Sequence, residues 1–225
     1  MTNYRLMQTV LMSYKKNYRM KKKLLAILMA CFTLTMAAQP QIKVNYQGAK
    51  PTIMDFAWAL VNYTPPEGDE VENAAIAQLQ NALHRYRQGK AQPADERLVV
   101  DVKNGYICHE IMEDGYVMKS EMCYWNIEDG KHKLVAYNVQ TTNDGISEPG
   151  EFDGLNLYEY TNATKKMTPY FGDLYLNLFD AGEGDRNTFE LPRTGKDIII
   201  TTWYEVGQRK RTAKWNGLYF SVPQP

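Results

Sequence analysis

The sequence predicts an α+β domain: two N-terminal helices followed by a long, mostly antiparallel β-meander of eight or nine strands, curled or barrel-like. Three observations carry this. Asn104-Gly105, Asp114-Gly115 and Asp129-Gly130 punctuate runs rich in strand-forming residues between Leu98 and Gln140. One register rule fits every strand these pairs join. Ahead of them, two stretches repeat apolar residues at helical spacing. A sheet of eight or nine strands curls or closes to hide its edges.

The chain opens with a leader. Lys21-Lys22-Lys23 precedes an apolar run from Leu24 to Ala38, which ends in small residues. Basic, apolar, then small is the layout of a secretory signal. It assigns residues 1–38 to a signal segment starting in effect at Met20, and 39–225 to a single domain. Cutting before Cys31, after Leu28-Met29-Ala30, is the alternative and would make a lipoprotein. The run is shorter than the roughly 20 residues a bilayer span needs, so no transmembrane segment is expected in the mature chain. The full chain balances 26 Lys/Arg against 26 Asp/Glu. Seven of the basic residues lie in 1–38, so the mature chain carries 19 against 26, a net of −7. That acidic balance argues against nucleic acid as a partner.

Gln39–Lys50 allows one strand through Ile42, Val44 and Tyr46. The first helix runs from Pro51-Thr52 to about Asn62, with Ile53, Phe56, Ala57 and Leu60 on one stripe and Met54 and Trp58 beside it. Asp69 and Glu72 have capping-box spacing for the second helix. Its stripe is Ile76, Leu79, Leu83 and Tyr86, and Gly89 ends it.

In the meander, two-residue turns pair Lys103 with Tyr106, Glu113 with Tyr116 and Glu128 with Lys131. Side chains alternate faces and directly paired residues share one. One face then collects Leu98, Val100, Ile107, His109, Met118, Ser120, Met122, Tyr124, Val135, Tyr137 and Val139. This apolar face is expected to be the core side. The other collects Val99, Tyr106, Cys108, Glu110, Lys119, Glu121, Cys123, Trp125, Leu134, Ala136 and Asn138. On this reading Val100→Asp costs more stability than Val99→Asp.

Beyond the meander, Leu155–Tyr160 and Met167–Tyr170 form a hairpin around Asn162, and Leu174–Phe179 leans to strand. Val206-Gly207 and Asn216-Gly217 turn a last set of strands. Two-residue loops would pair Ile198 with Trp215, Ile200 with Ala213, and Trp215 with Leu218. A second apolar face follows: Ile198, Ile200, Ala213, Trp215, Leu218, Phe220 and Val222.

The chemistry is sparse. Cys108 and Cys123 share a face but sit diagonally, roughly 7 Å apart at Cβ, whereas a disulfide wants about 4 Å. A slip or bulge would let them bridge; otherwise they are free thiols. Cys108 and His109 point to opposite faces and make no dyad. The histidines lack zinc spacing, so no metal is assigned. The acidic sets Asp144, Glu148, Glu151, Asp153 and Asp180, Glu183, Asp185, Asn187 miss the EF-hand pattern. No motif calls for a cofactor, and no catalytic residue is assigned. Tyr106 and Trp125, on the outer face, are the candidate ligand-binding residues, unless that face is itself covered.

The Lys-rich leader and the closing run Lys214-Trp215-Asn216-Gly217-Leu218-Tyr219-Phe220 resemble uncharacterised secreted proteins of Gram-negative Bacteroidota, a domain of unknown function. The resemblance implies a periplasmic or secreted bacterial protein and transfers no catalytic residue. The expectation is an exported, non-catalytic binding or interaction domain with a protein or glycan ligand. The alternative is a secreted hydrolase acting on glycans, with carboxylates as acid and base.

Overall fold

The computed structural model describes residues 40–63, 70–144, 154–172, 178 and 186–222, all within the compact unit Pro40–Pro225. The expected fold class is corrected. The described residues are mostly antiparallel β, in two sheets rather than one long meander. The helices are not N-terminal to the strands either, because β1 (Ile42–Lys43) precedes them. They are α1 (Ile53–Val61) and α2 (Glu70–Arg87).

Six consecutive strands follow: β2 (Glu96–Asp101), β3 (Tyr106–Glu113), β4 (Tyr116–Asn126), β5 (His132–Asn143), β6 (Gly154–Thr161) and β7 (Lys166–Pro169). They form a seven-stranded sheet with β1 paired to β7. The second sheet is β8 (Arg186–Glu190), β9 (Ile198–Trp203), β10 (Gln208–Trp215) and β11 (Phe220–Ser221), paired in chain order. A long sheet that splits and packs on itself hides its faces as well as a closed one does.

The turn chemistry explains the register. Asp114 (φ 47) and Gly115 (φ 86) both take positive φ, and Glu113 pairs with Tyr116 as a two-residue I′ turn requires. At Asn104-Gly105 only Gly105 is positive (φ 68), and Asp101, not Lys103, pairs with Tyr106. The Asp101 carboxylate accepts from the Asn104 backbone N–H (3.1 Å) and from its Nδ2 (2.9 Å). That Asx-capped loop is four residues long. The same lengthening occurs twice more, where Trp203 pairs with Gln208 and Trp215 with Phe220. Each correction shifts the register by two residues, so every side chain keeps its face.

Both faces are covered in the middle of the large sheet, while the β3–β4 hairpin end, with Met112 and Tyr116, is exposed. The expected core side packs under α1 and α2: Ile107, Met122, Val135 and Tyr137 meet Ile53, Phe56, Ala57, Leu60, Leu79 and Leu83. Phe56 anchors the contact edge-to-face with Tyr124 (5.4 Å) and Tyr160 (5.1 Å). The opposite face packs under the second sheet, with Tyr106, Trp125, Leu134, Ala136 and Leu157 against Phe189, Ile198, Ile200, Ala213, Trp215 and Phe220. Leu218, expected on that apolar face, lies in the β10–β11 loop and is exposed. Polar bonds stitch the layers: Asn138 Nδ2 donates to the Phe189 carbonyl (2.8 Å), and the Leu191 N–H donates to Glu121 Oε2 (3.4 Å).

No helix among the described residues is long and apolar enough to cross a membrane. The signal segment, Cys31, the expected cap residue Asp69 and most of both acidic loops lie outside the described residues.

Candidate functional site

The aromatic pair singled out from the sequence does not form a surface. Tyr106 and Trp125 are buried beneath the second sheet, 6% and 4% exposed. The face that carries them is covered because β8–β11 supply a second apolar face of matching chemistry. The Trp125 indole N–H donates to the Lys196 carbonyl (2.8 Å), and its ring meets Phe220 edge-to-face at 5.1 Å. The Tyr106 hydroxyl donates to Glu121 Oε1 (2.6 Å), which also accepts from Lys119 Nζ (3.1 Å). Burial raises the Tyr106 phenol far beyond its usual range, and the Glu121 charge adds to that.

Cys108 and Cys123 are free and buried. Cys123 pairs with Tyr106 and Cys108 with Glu121, which keeps the thiols diagonal. Burial pushes the Cys108 thiol up to about 11, with Glu121 as the next cause, and raises Cys123 well above its ordinary value. Neither is a poised nucleophile, since only the thiolate reacts.

On the other face, Glu96, His109 and Ser120 imitate a catalytic line. His109 Nε2 lies 3.1 Å from Glu96 Oε2, and Ser120 is directly opposite His109. Yet His109 and Ser120 are each 1% exposed. Ser120 Oγ has Tyr137 OH at 3.5 Å, and His109 Nδ1 has no partner among the described residues. Burial lowers the His109 pKa, against the pull of Glu96. Glu96 also pairs with Arg85, and so ties β2 to α2. The line is internal bracing between helix and strand.

The accessible chemistry lies elsewhere, in a cleft of about 910 Å³ between β1, the segment after it, and one side of α1 and α2. Its wall is built locally. Thr52 precedes α1, and Asp55 Oδ2 accepts from the Thr52 N–H (2.7 Å) and hydroxyl (2.8 Å), fixing the first turn. The stripe Ile53, Phe56, Ala57 and Leu60 is buried. The neighbouring stripe, Asp55, Trp58, Ala59 and Asn62, therefore faces the cleft. Gln80 Nε2 of α2 donates to the Val61 carbonyl (3.0 Å) and Asn62 Oδ1 (2.9 Å), fastening the helices together. This brings His84 and Arg87 alongside Trp58, with ring centroids 4.9 Å apart for Trp58–His84 and the Arg87 guanidinium carbon 5.9 Å from the Trp58 ring. Tyr46 closes the β1 side; its hydroxyl accepts from Tyr160 OH (3.5 Å), and Lys165 Nζ lies 4.8 Å from its ring centre. Burial raises the Tyr160 phenol pKa, and the Tyr46 hydrogen bond raises it further.

The cleft thus presents the half-buried aromatics Tyr46, Trp58 and Tyr63 among the polar groups Asn45, Gln47 and Asn62. A concave site with aromatic walls and a few converging polar groups suits a small ligand. Among the described residues no group of three His, Cys, Asp or Glu could hold a metal. The sequence signal for this site was the spacing of Asp55, Trp58 and Asn62 beside the core stripe of α1, and of His84 and Arg87 on α2. No family model, curated protein or solved structure matches the chain.

Proposed function

We propose that the chain is an exported bacterial binding module, periplasmic or secreted, that captures a ligand in the cleft between β1, α1 and α2 without transforming it. The cleft carries this reading, because it sets Tyr46, Trp58 and Tyr63 in one concave wall of a molecule whose other aromatic face is covered. The leader from Lys21 to Ala38 supports export. The glycan-hydrolase reading needs two carboxylates about 5–9 Å apart. The described lining supplies Asp55 alone, and that group is bonded to Thr52.

The test is a saccharide and peptide titration followed by NMR on the four Trp indole N–H signals. A ligand in the cleft shifts the Trp58 signal and leaves those of buried Trp125 and Trp215 in place, and Trp58→Ala abolishes the response. Ligands that bind without moving Trp58 would overturn the assignment.

A further inference from the structure

We infer that the cleft selects a carboxylated oligosaccharide, with sugar faces against the aromatic wall and a uronate carboxylate on Arg87. This rests on the cleft being the binding site. Arg87 is exposed on the cleft wall, and among the described residues no carboxylate pairs with it. Its neighbour by two residues, Arg85, is by contrast paired: Nε donates to Gln92 Oε1 (2.9 Å) and Nη2 pairs with Glu96. A guanidinium held beside an aromatic face keeps its planar fork open for two parallel hydrogen bonds to a carboxylate.

The charge balance of the cleft points the same way. Lys43 is a second lining cation with no carboxylate partner among the described residues. Asp55, the one described carboxylate of the lining, directs Oδ2 to Thr52. The described lining therefore carries a local positive surplus, Lys43 and Arg87 against Asp55, in a mature chain of net charge −7. A cation left unpaired in such a chain is a selective feature, because the long-range field repels anions and only a contact site retains them.

Size and edge geometry separate a saccharide from an acidic peptide. About 910 Å³ lies near the top of the range for small-ligand sites, roughly 300–1,000 Å³, which suits a short oligomer better than one sugar ring. A peptide that adds a strand needs a sheet edge, and at the cleft β1 offers only Ile42 and Lys43. Asn45 and Gln47 supply both donors and acceptors, which match the ring hydroxyls of a sugar.

The test compares three probes by calorimetry at low and physiological salt: uronic-acid tetrasaccharides (galacturonate, glucuronate and mannuronate), neutral cellotetraose, and tetraglutamate. At least one uronate oligomer binds ten-fold or more tighter than cellotetraose, and the margin shrinks with salt. Arg87→Gln, at an exposed position where the fold is retained, removes that margin, read as the ratio of uronate to cellotetraose affinity in the same variant; Arg87→Lys restores part of it. Equal Trp58-dependent binding of acidic and neutral sugars would overturn the acid selectivity while leaving the cleft as the site. Tetraglutamate binding tighter than every uronate would overturn the saccharide assignment. No Trp58-dependent binding of any of the three probes would overturn both the selectivity and the site.

Discussion

Replacing Trp125 with Ala separates a core residue from a binding residue. Trp125 is 4% exposed, so the truncation removes nearly all of a buried indole. A buried aromatic hides roughly 150–250 Å², which at about 25 cal/mol per Å² amounts to about 4–6 kcal/mol. Part of that area is retained by Ala and by relaxation around the site. The edge-to-face contact with Phe220 at 5.1 Å and the tilted contact with Trp215 at 6.0 Å are lost with it. So is the donor to the Lys196 carbonyl, a hydrogen bond of about 1 kcal/mol. These contributions overlap, and the expected cost is about 3–5 kcal/mol, the usual range for Trp→Ala in a core. That is a large part of a domain stability of about 5–15 kcal/mol. Urea unfolding followed by far-UV circular dichroism measures it as a lower midpoint at unchanged slope. Trp125→Phe should cost less, since the ring contacts persist and only size and the indole donor are lost. A Trp125→Ala variant within about 1 kcal/mol of wild type would refute the two-sheet packing. It would restore Trp125 as an exposed ligand-binding residue.

Val99→Asp and Val100→Asp should each destabilise by about 1–3 kcal/mol, because Val99 packs against the second-sheet core and Val100 against the helix core; a Val99→Asp variant of wild-type stability in the same urea assay would show an open outer face. Cys108 and Cys123 should resist alkylation by iodoacetamide in the native protein and label fully in denaturant without reductant, as mapped by mass spectrometry; native labelling within minutes, or a bridged peptide, would contradict the buried free thiols. The Asp129 carboxyl should titrate at about 2 by NMR, held down chiefly by its bond to the His132 ring and by the Lys131 N–H (2.8 Å). Its folded pKa lies below the unfolded value near 3.9, so its contribution to stability is present above about pH 4 and is lost as pH falls through about 2. His132→Ala should move that titration upward, and an unmoved midpoint would contradict the assigned cause.

The faces of the strands were legible in the sequence because alternation is a local property, and Asx-Gly pairs mark the turns. Loop length was less legible. An Asx-Gly pair serves a two-residue I′ turn, as at Asp114-Gly115, and equally a four-residue loop closed by an upstream side chain, as Asp101 does for Asn104. Both solutions keep the same faces, which is why the burial pattern survived a register error of two residues. The split into two sheets was hidden by polar residues that look solvated in sequence. Glu121, Lys119 and Asn138 read as an outer surface, but Glu121 bonds Tyr106 and Lys119 within the sheet, and the Leu191 N–H and the Phe189 carbonyl reach Glu121 and Asn138 from a distant segment. The cleft was hardest to read. Asp55, Trp58 and Asn62 show helical spacing, but their approach to Tyr46 and Arg87 is a tertiary event with no local signal.

The covered faces of the large sheet determine where a site can be. The middle of the seven-stranded sheet is covered on both sides and leaves no free face there for a ligand, and the proposed site lies where alternation ends. That place is the start of the sheet, where β1 has only two residues and the chain turns into α1. There the core itself braces the residues of the proposed site. Phe56 sits between Tyr124 and Tyr160, Tyr160 reaches Tyr46, and Gln80 fastens α2 to the last turn of α1. Tyr46 is thereby tied to the core through Tyr160, and Trp58 is flanked by His84 and Arg87 of α2. A site preordered by its core avoids about 0.5–1.5 kcal/mol of entropy loss for each side chain that would otherwise be immobilised on binding. Truncating Tyr160→Phe keeps the core packing and removes only the bond to Tyr46. It should therefore weaken binding in the cleft with little change in unfolding midpoint, and the reverse pattern would assign Tyr160 to stability alone.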